Sequence, residues 1–576
     1  MLAGQSLAGA AKYVTGIGSR SANGPDATSD CVRLLQPLCR VTATGSLQVA
    51  MLCRQRAQQV TQSRSHVSVA PVASAPMVTE VLTFAIDGLQ PVPVTVEADL
   101  RRGLPSFTIV GLADRAVAEA RERVRAALVN CGFEFPMRRL TVNLAPAHLR
   151  KAGPGFDLAI AAAILAASGQ ISAESLANTA LFGELSLGGE LRACRGALAV
   201  AEGAQRAGLD LLVVPTDSAA EARLVGSLRV GALAMLSDLG AVLGGSSVEL
   251  DPKPVAESEP RQTAVPNLAD VRGQRGAIDA LTIAAAGGHN LLLNGPPGTG
   301  KTMLARRLPG ILPPLSRPEA LEVTRIQSIA GIGGDGLLAI ERPFRAPHHT
   351  ISAAGLVGGG AVPLPGESTL AHRGVLFLDE LSEFDRRALE ALRQPLEDGE
   401  VTIVRGQKIV RFPTRFALVA ATNPCLCGRG GKDCRCSEPE LLRHRQRLSG
   451  PLLDRIDLVV AVERPSSSAL EAESLTSSEA VAERVAAARS VQLARSGCAN
   501  AHLVARDLLG AVNCGKDARR ALAHAYDGGG LSARGRDRSL RVARTIADLA
   551  GEQQIGIDAL AKALAYRHES DRLGPR

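Results

Sequence analysis

The chain has no tryptophan and only three tyrosines among its 576 residues. A row of aromatic rings on which bases stack is therefore not the mode of nucleic-acid contact to expect. Long apolar runs are missing too. The longest, LAIAAAILAA at 158–167, has ten residues, about half of what a bilayer-spanning helix needs, so nothing here is expected to cross a membrane. Of 11 cysteines, four crowd into 425–436 and the rest are scattered, unlike the framework of a small disulfide-stapled secreted domain. That usage fits a cytoplasmic protein with one metal cluster. Acidic residues are scarce at the start, where residues 1–76 hold seven Lys and Arg, two Asp and no Glu. This segment supplies +5 of the net charge of +8. Overall basicity is thus weak ground for a polyanionic partner, and any such case rests on local basic loops.

What is present is ordinary for globular protein, with 46% apolar and 21% charged residues over a length that calls for more than one domain. Residues 1–76 show no helical or strand period and are expected to be a disordered extension. A transit peptide or a start codon assigned too far upstream would account for it; Met77 directly precedes the first strand-like run, VTEVLTFAIDG, and is taken as the working start. From 77 to 245 strand and helix periods alternate, as in an α/β domain. The aperiodic SSVELDPKPVAESEPRQTAVP at 246–266 reads as a linker. Residues 267–465 are again α/β, and 478–576 carry the 3.6-residue period of a small helical lid.

The strand-like LLLNGPPGTGKT at 291–302 runs into a phosphate loop and then a helix. Gly295, Gly298 and Gly300 free backbone N–H groups to turn onto phosphate, Lys301 reaches the outer phosphates, and the Thr302 hydroxyl ligates Mg²⁺. Pro296, Pro297 and Thr299 complete the ATP-binding loop. GVLFLDE at 374–380 is an apolar strand ending in two carboxylates, which suits Asp379 for the Mg²⁺ shell and Glu380 for polarising the attacking water. FALVAATNP at 416–424 ends in Asn423, placed to orient that water or sense the γ-phosphate. Arg455 precedes the next strand, and Arg538 and Arg541 open a lid helix. Any one arginine taken alone is as readily a surface ion pair.

Two further features stand between these strands. CLCGRGGKDCRC offers Cys425, Cys427, Cys434 and Cys436 to a structural Zn²⁺, with three glycines that let the loop fold back. C-x-C is a less usual half-site than C-x-x-C, and four free thiols are the alternative. The other feature is a pair of insertions, 343–366 and GEVTIVRGQKIVRF. The first contains His348 and His349, which as neighbours point apart and cannot easily share one metal, so a pore loop is preferred to a metal site. The second is a hairpin whose tip carries Arg405 and Lys408, suited to a phosphate backbone.

The succession of phosphate loop, acidic strand, Asn strand, Arg turn and helical lid resembles the AAA+ ATPases. The stretches VEADLRRGLPSFTIVGLADRAVAEARERVRAAL, TVNLAPAHLRKAGPGFDLAIA, FRAPHHTIS, PGESTLAHRGVLFLDE, NPCLCG and SGPLLDRIDL narrow this to a resemblance to the Mg-chelatase-like ComM/YifB family over 77–576. That resemblance implies a homo-hexameric ring motor using ATP and Mg²⁺, with Arg455 as a finger in a neighbour's site and Arg538, or Arg541 one turn away, as lid sensor. It implies action on branched or single-stranded DNA through His348, His349, Arg405 and Lys408, as in branch migration during recombination and uptake of transforming DNA, with recombination proteins as partners. The N-terminal domain resembles the Lon-type peptidase (ribosomal-S5-like) fold. Its nucleophile position is Gly155 and its lysine position Leu198, so no acyl transfer is expected there, and assembly or partner binding is the role left. Magnesium-chelatase motor subunits and protein-remodelling ATPases are the other functions considered. The N-terminal domain and the Cys loop are expected to set this chain apart from the chelatase motor.

Overall fold

The computed structural model describes residues 78–111, 115–245, 266–333, 337–360, 363–405, 408–448, 450–471 and 476–573. The extension up to Met77, the linker before Pro266 and the hairpin tip Gly406–Gln407 lie outside the described residues.

The first half is built on β1 (Thr79–Asp87), β2 (Gln90–Arg101), β3 (Ser106–Val110), β4 (Arg139–Ala145), β5 (Thr179–Leu181), the short pair β6 (Glu184–Leu185) and β7 (Leu191–Arg192), β8 (Leu211–Pro215) and β9 (Arg229–Leu233). All but the short pair join one mixed sheet in the order β3-β4-β2-β1-β5-β8-β9. Helix Asp157–Ala167 packs in its core, and each residue from Leu158 to Leu165 is fully buried. The chain's longest apolar run is therefore a helix enclosed by protein on all sides. Among the described residues no helix is long and apolar enough to cross a membrane.

The second half contains β10 (Leu291–Asn294), β11 (Phe344–Arg345), the short pair β12 (Gly358–Gly359) and β13 (Leu364–Pro365), β14 (Val375–Leu378), the hairpin β15 (Glu400–Arg405) and β16 (Lys408–Pro413), β17 (Ala417–Thr422) and β18 (Leu458–Ala461). Its five-stranded sheet, in the order β11-β14-β17-β10-β18, is parallel throughout. Successive strand residues feed opposite cores: Leu291, Leu293, Phe377 and Val419 face one, Leu292, Leu376, Leu378 and Leu418 the other. Burial on both faces explains why these strands read as unbroken apolar runs. Each buried leucine contributes roughly 1.5–3 kcal/mol. Helices Ser478–Ser496, Lys516–Asp527, Ala533–Leu549 and Ile557–Leu573 follow and pack on the first of these cores.

The two halves meet through the helix Arg317–Ala330. Its Ile326 and Ile329 share a buried cluster with Leu89 and Ala199 of the first half and with Val401, Val410 and Phe412 of the hairpin. The Ser328 hydroxyl accepts from the Gly196 N–H at 2.9 Å, and Arg325 pairs with Glu202 at 2.9 Å. One face of the hairpin is thereby fixed to the N-terminal domain.

Candidate functional site

Because the five strands are parallel, the C-terminal ends of β10, β14 and β17 open on one edge, where open α/β sheets bind ligands. There the phosphate loop, Asp379 with Glu380, and Asn423 come together. Gly295 has to be glycine, since a Cβ would lie 2.1 Å from the Val462 carbonyl oxygen. Gly298 and Gly300 adopt φ of 74° and 90°, and helix Lys301–Ala305 starts directly afterwards. Lys301 Nζ donates to the carbonyls of Gly295 at 2.6 Å and Pro296 at 2.9 Å and to Asn423 Oδ1 at 3.1 Å. Burial pulls its pKa below the ordinary lysine value, against the opposing charges of Asp379 and Glu380. The Thr302 hydroxyl donates to Asp379 Oδ2 at 2.6 Å, so the two oxygens suited to Mg²⁺ already share one point. Thr299 closes the loop by donating to the Pro296 carbonyl at 2.9 Å.

Glu380 sits at φ 52°, ψ 51°, a left-handed conformation that costs a non-glycine residue about 1–2 kcal/mol. Strain of this kind clusters at functional sites. The conformation turns its carboxylate, 57% exposed, out from the strand end to within 3.9 Å of His349 Nδ1. Of the two histidines, His349 therefore belongs beside the nucleotide edge. His348 is held by its own loop, Nδ1 lying 2.9 Å from the Thr350 hydroxyl. His349, although part of the insertion read as a pore loop, thus reaches the edge of the phosphate constellation.

From there the insertion crosses to the hairpin. Arg345 grips Glu367 with two bonds of 2.6 and 2.8 Å, tying its two ends together. Gly358, at φ 106°, approaches so closely that a Cβ would lie 2.7 Å from the Leu364 carbonyl oxygen and 3.0 Å from Ile403 Cδ1. A Cβ on Gly359 would lie 3.9 Å from Arg405 Nη2. The glycine run is what lets the insertion lie against the hairpin. In the hairpin Arg405 faces Lys408 across the register and Val404 faces Ile409. Val404 and Ile409 are 61% and 65% exposed. Their pairing went unread in the sequence, although the alternation in VTIVRGQKIV carries the signal, with apolar residues at both parities.

Arg455 and Arg538 lie elsewhere. Both flank the start of β18, at the N-terminal edge of the sheet; four residues of strand, about 13 Å, separate that edge from the phosphate loop. Arg455, 4% exposed, pairs with Glu397. Arg538 Nη1 lies 3.7 Å from Asp457, whose other oxygen is 3.3 Å from His289 Nδ1. The Arg538 pKa is lowered by burial first, then by the charges of Arg567, Arg541 and Arg455, so four guanidiniums share this corner. Arg538 Nη1 and Arg541 Nε are buried without a hydrogen-bond partner. The lid arginine is thus not directed at its own chain's phosphate loop. Glu397, Asp457 and Arg567 carry no sequence signal of their own.

Cys425, Cys427, Cys434 and Cys436 present four sulfurs within 4.8 Å of one another. Separations of 3.3, 3.5 and 3.9 Å bracket the ~3.8 Å that a tetrahedral site with Zn–S bonds of about 2.3 Å requires.

In the N-terminal domain a Cβ on Gly155 would lie 2.4 Å from the Phe182 ring, and Leu198 is fully buried. The Phe182 ring occupies the space a nucleophilic side chain would need. Asp157 is held by Arg123 at 2.8 and 3.0 Å. A cavity of about 490 Å³ lies alongside, lined by Gly155, Phe182, Cys194, Arg195, Ile329 and Leu364.

Family models agree with this layout. One described as magnesium chelatase, subunit ChlI, matches residues 267–470; a second, subunit ChlI of Mg-chelatase, matches 96–218; a third, the subunit ChlI C-terminal region, matches 475–567. The second match lies within the N-terminal domain. Among relatives, YifB of Salmonella typhimurium is 45% identical over 84% of this chain and 96% of its own length. The competence protein ComM of Haemophilus influenzae is 44% identical over 83% of this chain and 95% of its own. The magnesium-chelatase 67 kDa subunit of Heliobacterium mobile is 27% identical over 27% of this chain and 28% of its own.

Proposed function

Because the chain belongs to the ComM/YifB family of Mg-chelatase-like AAA+ ATPases, we propose that it assembles into a homo-hexameric ring that couples Mg²⁺-dependent ATP hydrolysis to movement on DNA, driving branch migration in recombination and in uptake of transforming DNA. The observation that carries the ATPase part is the convergence of Lys301 on Asn423 and of Thr302 on Asp379 at one sheet edge. Lys301 binds the outer phosphates, exchanging its carbonyl partners for phosphate oxygens. Thr302 and Asp379 hold Mg²⁺, which when bound neutralises the triphosphate and its leaving group. Asn423 positions the attacking water and Glu380 accepts its proton. Arg455 and Arg538, at the opposite edge, serve the nucleotide of the next subunit, and the gathering of Arg455, Arg538, Arg541 and Arg567, with Arg541 Nε lacking a hydrogen bond, favours an anion there.

The DNA part draws support from the kinship with a competence protein and from the outward hairpin carrying Arg405, Val404 and Ile409. The N-terminal domain, taken as Lon-like without its dyad, serves assembly or partner binding. A structural Zn²⁺ occupies the cysteine loop. The deciding measurement is ATPase rate with no DNA and with single-stranded, duplex and four-way-junction DNA. Stimulation by the junction, with junction processing that needs ATP, is expected. An indifferent ATPase that instead accelerates metal insertion into a porphyrin would favour the chelatase-type reading, which the three family matches keep in view.

A further inference from the structure

The cysteine loop is joined to the nucleotide site more closely than a remote structural zinc needs to be. It leaves β17 through Asn423 and Pro424 and ends at Cys436. The next residue, Ser437, caps helix Glu438–Arg447 in a capping box with Glu440. His444, 2% exposed on that helix, sends Nε2 back to the Asn423 carbonyl at 2.9 Å. The segment therefore closes on the residue from which it departed. Midway, Gly428 at φ 74° lies so near the phosphate loop that a Cβ would be 2.9 Å from Pro297 Cδ. Gly430 approaches Pro424 in the same manner, at 2.7 Å from Cγ. Asn423 in turn holds Lys301 at 3.1 Å.

The loop's own backbone order is a turn closed by the Gly428 N–H on the Cys425 carbonyl at 3.0 Å and a 3₁₀ turn, Gly431–Asp433. Two isolated turns leave the rest of the segment without backbone support. The four sulfurs can fix its shape once a metal joins them, and the Cys427 N–H already donates to Cys436 Sγ at 3.3 Å, the kind of outer bond that orients metal ligands.

We propose that a Zn²⁺ bound by Cys425, Cys427, Cys434 and Cys436 braces Asn423 and the phosphate loop against each other, so that hydrolysis of ATP, more than its binding, depends on the metal. Binding is carried mainly by backbone N–H groups and Lys301, and the Gly295 and Pro296 carbonyls hold Lys301 whether or not Asn423 does. Hydrolysis needs the Asn423 side chain in register with the attacking water, and small displacements there are costly. The proposal rests on the ATPase reading above.

The test uses the full chain, purified under reducing conditions. Elemental analysis is expected to find one zinc per chain. A zinc-selective chelator, added with Mg²⁺ in excess, is expected to lower kcat about tenfold or more while the affinity for a fluorescent ATP analogue changes by less than about threefold. Added Zn²⁺ then restores turnover. Cys427→Ser, at the exposed ligand, should behave as the chelated protein does, with its folding checked by circular dichroism. Metal-free protein that hydrolyses at the full rate, or wild type that carries no zinc, overturns the proposal. So does loss of nucleotide binding in step with hydrolysis, because the metal would then merely hold the fold. Zinc-loaded protein with no ATPase activity under any condition sinks the motor reading instead, and the zinc content then still decides whether the site exists.

Discussion

His349 Nδ1 stands 3.9 Å from the Glu380 carboxylate, with its ring edge-on to Phe384 at 6.5 Å between centroids. The insertion that carries this histidine runs on to Gly358 and Gly359, which lie against Ile403 and Arg405 of the hairpin. One continuous segment therefore runs from the proposed catalytic carboxylate to the proposed DNA-facing tip. His349→Ala is expected to lower DNA-stimulated ATPase about tenfold, a 1.4 kcal/mol effect, with nucleotide affinity little changed. His348→Ala breaks a contact to Thr350 and the packing of its ring on that of His349, 4.1 Å between centroids, but leaves His349 itself in place, and should stay within about twofold. Steady-state turnover of both variants, with and without junction DNA, tests the difference, and equal behaviour of the two would remove the link.

Glu380→Gln should bind ATP and hardly turn it over, since the amide cannot accept the water's proton. Arg455→Ala should fail likewise, because finger arginines contribute on the order of 10³–10⁵ in related phosphoryl transfer. The two defects lie at opposite edges of the sheet, so in a mixed ring some interfaces pair an intact Glu380 with an intact Arg455. Mixing the inactive variants should restore part of the turnover. Mixed rings as dead as the parents would place Arg455 outside the neighbour's site.

The nucleotide edge was legible because its spacing is dictated locally: a strand, a glycine turn and a helix N-terminus must follow one another directly, and acid and Asn strands end where parallel strands end. The pattern of buried strands was legible for the same reason. What escaped were contacts between segments distant in the chain that share no local pattern, such as His349 with Glu380, Glu397 with Arg455, and His444 with Asn423. Where Arg538 sits could not be read, because a lid helix announces its apolar face but not which edge of the sheet it covers. Gly155 was recognised as lacking a nucleophile, but the Phe182 ring that fills the gap comes from just past the end of β5, outside the motif.

Acid should loosen the strand that bears Asp379. His372, just ahead of that strand and 2% exposed, accepts from the Arg415 N–H at Nδ1, which leaves the proton on Nε2 to donate to Glu322 at 3.1 Å. Burial, more than any neighbour, lowers the His372 pKa from 6.5. Below that value the unfolded chain takes up the proton first, so stability is full above it and falls as pH drops through the folded value. Glu322 is held at about 2, by the His372 hydrogen bond foremost, with burial opposing and Arg373 assisting. Its contribution is complete above 4.5 and is lost as pH falls toward about 2. Both groups thus act in one direction. Melting temperatures from pH 8 down to 2 should decline for wild type, whereas Glu322→Gln should start several degrees lower at pH 7, keep most of that gap at pH 4, and converge with wild type only as the pH approaches about 2. Parallel curves would contradict the assignment.

The hairpin yields the sharpest separation of binding from chemistry. Its inner residues Val401, Val410 and Phe412 are fixed in the cluster with the N-terminal domain, so changes at the tip should leave the fold intact. Arg405→Ala and Lys408→Ala each remove one possible phosphate contact. Each should weaken DNA binding and reduce the slope of log K against log salt by about 1. The paired, exposed Val404 and Ile409 carry no charge, and replacing both by serine should leave that slope unchanged. If apolar contact with unstacked bases matters, this double variant loses junction processing while its salt slope stays wild type, because wedging acts on stacking and not on counterions. Fluorescence titration of junction DNA at several salt concentrations measures all three variants. Unchanged slopes for Arg405→Ala and Lys408→Ala, together with full processing by the serine variant, would exclude the hairpin from the DNA path.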